Sequence, residues 1–179
     1  MELTNIWEMI SMNEIFTRRS IRNYTQEVVE DKKIEKLLRA AMQAPSAGNQ
    51  QAWEFIIVKN KDRLDKLSKM SLYATPVAKA PVAIVVLGNE DNMKYPELWE
   101  QDLGAATENL LIEAVSEGLA TVWLGVAPLE DRIKRIKKMF NLPLNIKPYA
   151  VIALGYPVDG QGNKFVDRYD ASKVHEEEF

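Results

Sequence analysis

Val82-Ala83-Ile84-Val85-Val86-Leu87 is an unbroken apolar run, and a strand of that composition has no face to give to water. It has to be covered on both sides, which calls for helices packed above and below a sheet. The rest of the chain supplies them. Residues 53–58, 120–124 and 149–154 read as further strands. Residues 30–43 predict a helix with Ile34, Leu37, Leu38 and Ala41 on one face and Pro45 just past its end. A helix over 61–70 turns Leu64 and Leu67 inward. The longest helix, 97–117, repeats Leu103, Ala106, Leu110, Ala114 and Val115 at helical spacing, with Gly118 where a C′ glycine belongs. Another, 129–140, carries Leu129, Ile133, Ile136 and Phe140 inward, and its cations gather toward the end that the macrodipole favours. Ser11-Met12-Asn13-Glu14 has the form of a capping box ahead of Ile15 and Phe16, and opens a short helix that delivers residues 18–22 at its C-terminal end. Four strands among about five helices predict one three-layer domain, α/β or α+β, over residues 1–179. Residues 156–179 are too polar to pack alone and are expected to lie along another surface, such as a second subunit.

Composition removes most routes to catalysis by side chains. With no cysteine there is no thiolate nucleophile, redox dithiol or cysteine-held cluster. The one histidine, His175, sits beside Glu176, Glu177 and Glu178, so neither a Ser-His-Asp triad nor a multi-histidine metal site is expected. A net charge of −3 speaks against nucleic acid and anionic membranes as partners. The longest apolar runs fall far short of the ~20 residues a membrane helix needs. Met1-Glu2-Leu3-Thr4 shows neither a basic nor an apolar leader region, so a cytoplasmic location is expected. Any demanding chemistry therefore falls to a bound organic cofactor.

Two segments could hold one. Arg18-Arg19-Ser20-Ile21-Arg22 brings three guanidinium groups and a hydroxyl into five residues. It is either a solvated helix end or a phosphate cradle, and the cradle requires the helix to stop near Arg18 so that the donors converge. Ala44-Pro45-Ser46-Ala47-Gly48-Asn49-Gln50-Gln51-Ala52-Trp53 joins a helix to a strand with more amides and hydroxyls than a turn needs. Asn49 offers a donor and an acceptor suited to the edge of a flavin pyrimidine ring. Trp53 reads as core, and Asp102 as a solvated helix carboxylate rather than a cofactor contact. Gly125, between a strand and a helix, would let backbone approach a flat ring. Lys164 and Arg168 near the C-terminus could complete the neutralisation of a phosphate.

RRSIR, APSAGNQQAW, a long helix beginning with Gln-Asp, TVWLGV and a late basic residue follow one another in an order that resembles the nitroreductase family of FMN-dependent oxidoreductases, over nearly the whole chain. The resemblance implies an α+β fold: a central, mostly antiparallel sheet flanked by helices, in a homodimer whose C-terminal arm embraces the partner. It implies FMN at the dimer interface, with hydride passing from NADH or NADPH through the flavin to an electron-poor acceptor in ping-pong fashion. The flavin N5 would carry the chemistry, with no catalytic side chain and no metal. By the same resemblance Arg18 and Ser20, in one cluster with Arg19, hold the phosphate with Arg168 and Lys164. Arg22 lies near flavin N1 and O2 or the ribityl chain. Asn49 bonds to the ring with Gln51 near it, Pro45, Ser46 and Ala47 approach from the other subunit, and Leu124 and Gly125 pass against a ring face. Ala52 departs from the proline usual before that tryptophan. Residues 88–96 are short where relatives often carry a substrate-covering insertion. A specialised flavoenzyme (a reductive dehalogenase or a flavin-fragmenting enzyme), a flavin-binding or sensing protein without turnover, and a nucleotide-phosphate-binding domain stay open beside it.

Overall fold

The structure, a computed structural model, describes residues 13–179. The first half of the expected capping box, Ser11 and Met12, and the residues read for a leader lie outside them. In chain order the elements are α1 (Asn13–Thr17), α2 (Asp31–Ala41), β1 (Trp53–Val58), α3 (Lys61–Leu67), α4 (Pro76–Lys79), β2 (Val82–Asn89), α5 (Trp99–Ser116), β3 (Ala120–Gly125), α6 (Glu130–Phe140) and β4 (Ile146–Gly155). The strands form one sheet in the order β1-β2-β4-β3, every pairing antiparallel. This is an α+β domain.

β2 behaves as its composition demands. Ala83, Val85 and Leu87 point to one face, where they meet Leu64 and Leu67 of α3, Val77 of α4 and Ile136 of α6. Val82, Ile84 and Val86 point to the other, against Ile34 and Leu37 of α2 and Leu103, Ala106 and Leu110 of α5. A strand with period-two alternation thus feeds two cores, and neither side can be polar. Fully burying one such aliphatic side chain contributes roughly 1.5–3 kcal/mol.

Element ends set the edges that matter. Leu119 N–H bonds to Ala114 O at 2.7 Å and Gly118 N–H to Val115 O at 3.0 Å, with Gly118 at φ 73°. That Schellman closure ends α5 and turns the chain directly into β3. At the far end of β3, the N–H groups of Val126 and Ala127 both reach Tyr149 O, at 2.9 and 3.0 Å, which stops the strand at Gly125. The largest departures from expectation are that α3 ends at Leu67, that β4 begins at Ile146, and that α4, with too few residues to show a periodic stripe, is not among the expected helices.

Candidate functional site

α1 ends at Thr17, so residues 18–22 are free of helical geometry and can turn their side chains independently. Their backbone is nonetheless fixed. Ser20 makes a parallel bridge to Thr121, Ile21 N–H donates to Thr121 O at 2.9 Å, and the buried Tyr24 hydroxyl lies 2.6 Å from Ile21 O and 3.2 Å from Ala153 O. Burial raises the Tyr24 pKa, with Arg22 opposing. Asn163 is the link to the C-terminal segment. Its Oδ1 accepts from Arg19 N–H at 3.0 Å and its Nδ2 donates to Leu119 O at 3.2 Å. Asn23 Nδ2 donates to Gln161 Oε1 at 2.9 Å, and the Phe16 and Phe165 rings lie 6.4 Å apart. The arm expected on a second subunit therefore begins by docking on its own, and only residues 166–179 are exposed throughout.

That docking gathers cations from both ends of the chain. Burial first, then Arg168, then Arg18, holds the Arg19 guanidinium below its ordinary pKa. Arg19 donates to the carbonyls of Arg18 and Phe16, yet its buried Nε has no hydrogen-bond partner. Arg18 Nε pairs with Glu108 Oε1 at 3.0 Å, and Arg22 Nη1 reaches Ser20 O at 3.2 Å. Ser20, Lys164 and Arg168 are exposed. An orphaned buried donor among mutually repelling guanidinium groups is suited to an anion.

From this corner β3 runs to a cleft of about 390 Å³ lined by Arg22, Leu124 and Gly125 together with Ser71, Leu72, Tyr73 and Arg132. At roughly 3.3 Å per residue, Thr121 and Gly125 lie about 13 Å apart, basic at one end and flat at the other. A Cβ built on Gly125 would meet nothing within 4 Å, so the surface there is open. Arg132 Nη1 donates to Gly125 O at 2.6 Å and fixes the rim. Ser71 to Tyr73 and Arg132 belong to no recognisable sequence motif.

The turn at 45–51 sits elsewhere. Gly125, Ala150, Val86 and Phe55 form one row across the sheet, so β3 and β1 are its two edges. Three strand spacings, about 14 Å, separate them, and the turn leads into β1. Pro45, Ser46, Ala47, Asn49 and Gln51 ride together on it. Ser46 O accepts from Asn49 N–H at 3.0 Å, and Ser46 Oγ from Gln51 N–H at 3.1 Å. These five therefore sit as one unit beside β1, across the sheet from Gly125. Asp102 is not solvated as expected. It is 6% exposed, and accepts from Ala47 N–H at 2.9 Å and from Gln50 Nε2 at 2.5 Å. Trp53 is core, as read.

This arrangement defines a class, and the chain belongs to the nitroreductase family. The family model "Nitroreductase family" matches residues 15–100 and 71–156. An Archaeoglobus fulgidus protein provisionally named NADH dehydrogenase/NAD(P)H nitroreductase is 42% identical over 167 residues, 92% of this chain and 96% of that one. A crystal structure of a Clostridium acetobutylicum protein, provisionally named an NADH oxidase, superposes with a TM-score of 0.91 at 56% identity, covering 93% of this chain and 99% of that one. A Desulfovibrio desulfuricans protein, provisionally named a nitroreductase and solved in complex with FMN, gives a TM-score of 0.78 at 32% identity, over 93% and 96% of the two chains. Among the described residues no helix is long and apolar enough to cross a membrane, and no cluster of potential metal ligands occurs.

Proposed function

We propose that this protein is an FMN-dependent oxidoreductase that passes reducing equivalents from NADH or NADPH to an electron-poor organic acceptor such as a nitroarene or quinone. The observation that carries the reading is the unpartnered, buried Nε of Arg19 beside Arg18 and Arg168, at one end of a strand whose other end is open over Gly125. Arg18, Arg19, Ser20, Lys164 and Arg168 would hold the phosphate, and Leu124 with Gly125 would support the ring. FMN, when bound, supplies the hydride-carrying chemistry that a chain without cysteine and with one tail histidine lacks. Arg22, lining the cleft, sets a fixed positive charge where negative charge develops on reduction.

The 45–51 turn would complete the site from a second copy of the chain, since it lies at the opposite sheet edge from the cleft. A two-fold homodimer joins the two half-sites twice over. The names of the relatives, including the Bacillus subtilis protein called FMN reductase [NAD(P)H] at 25% identity, support this reading. The test is the visible spectrum of the purified protein, before and after NADH or NADPH under anaerobic conditions, followed by addition of a nitroarene or quinone. A yellow protein that bleaches and then recovers its colour is expected. A colourless preparation that takes up no FMN would overturn the reading. A yellow protein that neither donor reduces would leave only a binding role.

A further inference from the structure

Resting on the FMN reading, we propose that Asp102 is the positioning residue that holds the 46–51 turn in a ligand-ready shape, through a hydrogen-bond circuit whose polarity only a carboxylate satisfies. The turn is strained at two non-glycine residues: beside Gly48, Asn49 and Gln51 have φ values of 54° and 47°. Non-glycine residues enter that region only when their surroundings impose it, and such strain gathers at functional sites. Three hydrogen bonds lie within the turn, from Asn49 N–H to Ser46 O, from Gln50 N–H to Ala47 O and from Gln51 N–H to Ser46 Oγ, and a buried element beneath it ties it to the rest of the fold.

That element is Asp102, in the first turn of α5, where the helix end favours a negative charge. Both of its partners are donors, the Ala47 amide and Gln50 Nε2. Gln50 cannot reverse its side chain to suit a different partner. Its Oε1 accepts from Tyr95 N–H at 2.9 Å while its Nε2 lies 3.3 Å from Tyr95 O. Turning the amide over would set donor against donor and acceptor against acceptor. Tyr95 also covers Gly48, where any Cβ would collide with its ring. Donation from Tyr95 N–H through Gln50, and donation from Ala47 N–H, therefore both end on Asp102, which only accepts.

Asp102→Asn is nearly isosteric, but turns an N–H against one of the two donors. The reciprocal pair Gln50→Glu with Asp102→Asn restores an N–H facing an oxygen between positions 50 and 102, at the cost of the longer contact to Tyr95 O, where an oxygen replaces Nε2. FMN affinity is measured by fluorescence titration of the flavin-stripped protein, alongside the visible band of bound flavin. Asp102→Asn is expected to bind about tenfold more weakly, with the band displaced toward that of free flavin, and the reciprocal pair to recover part of the loss. Hydrogen exchange at the Ala47 amide, followed without flavin, should accelerate in Asp102→Asn and slow again in the pair. Unchanged affinity and exchange in Asp102→Asn, or a pair no better than the single variant, would overturn the inference. A wild-type protein that binds no FMN overturns the functional reading instead, and the exchange rates alone then decide the role of Asp102.

Discussion

The 45–51 turn and the basic corner at residues 18–22 are both non-repetitive, and both lie at sheet edges, yet they are held in opposite ways. The turn is closed by bonds within the chain, to Ser46, to Asp102 and through Gln50 to Tyr95. The corner has a fixed backbone but side chains in excess of their partners, with burial first and then like charges lowering the Arg19 pKa, and its Nε unsatisfied. One region has its shape before any ligand arrives. The other has its charge before any ligand arrives, and only an anion relieves it. In the proposed dimer the first would shape the ring's surroundings and the second would supply affinity.

The strongest way to break that division is to remove charge from the corner. Arg18→Ala combined with Arg168→Ala deletes two charge-assisted contacts to the phosphate, each contributing about 1.5–3 kcal/mol. FMN affinity by fluorescence titration should fall at least about a hundredfold. The thermal midpoint of the flavin-free protein should hold, because relief of the two cations repelling Arg19 offsets the lost Arg18–Glu108 pair. Equal affinity in the variant and the parent would dissolve the corner's assigned role. The second test is directed at the turn. Gly48→Val adds a β-branched side chain at positive φ and drives it into Tyr95. Strain and overpacking together should cost about 3 kcal/mol in denaturant unfolding. A loss below about 0.5 kcal/mol would mean the turn is far looser than its bonds imply.

The same contrast explains what could be read from the sequence. β2 was legible because burial on both faces leaves a run that fits nothing else, and α5 because its stripe and Gly118 agree. The arginines were legible as a cluster, since charge density survives in one dimension. Asp102 was not. A carboxylate on a helix reads as a solvated face, and only partners 55 and 52 positions away reveal otherwise. The start of β4 was hidden by Lys147 and Pro148, the proline being tolerated beside a register shift opposite Val86 and Leu87. The lining of the cleft by Ser71, Leu72 and Tyr73 depends on how β3 meets the chain after α3, which no local pattern records.

A third prediction sets one glycine against the other. The Cβ of Gly125→Leu meets open space and the rest of the side chain would enter the cleft, so stability should stay within about 0.5 kcal/mol of the parent in denaturant unfolding. The added side chain would occupy the cleft itself, and FMN affinity should weaken by about tenfold (about 1.4 kcal/mol). Gly48→Val and Gly125→Leu thus exchange their phenotypes, the first losing fold and the second losing ligand. If Gly125→Leu binds FMN as the parent does, the ring does not lie over β3.

The smallest effect tests whether the corner is truly short of anions. Glu108 already neutralises Arg18 at 3.0 Å, but the pair is partly exposed, at 24% and 45%, and such pairs contribute no more than about 1 kcal/mol. Glu108→Gln releases Arg18 from this internal competitor and removes a negative charge near the proposed phosphate. FMN affinity should therefore rise by about twofold to fivefold at low salt, with the gain shrinking as ionic strength screens it. The sign carries the information. A rise means that Glu108 competes with the ligand for a cation already in place. A fall means that Glu108 aims Arg18 and that the corner, like the turn, is shaped by its own chain.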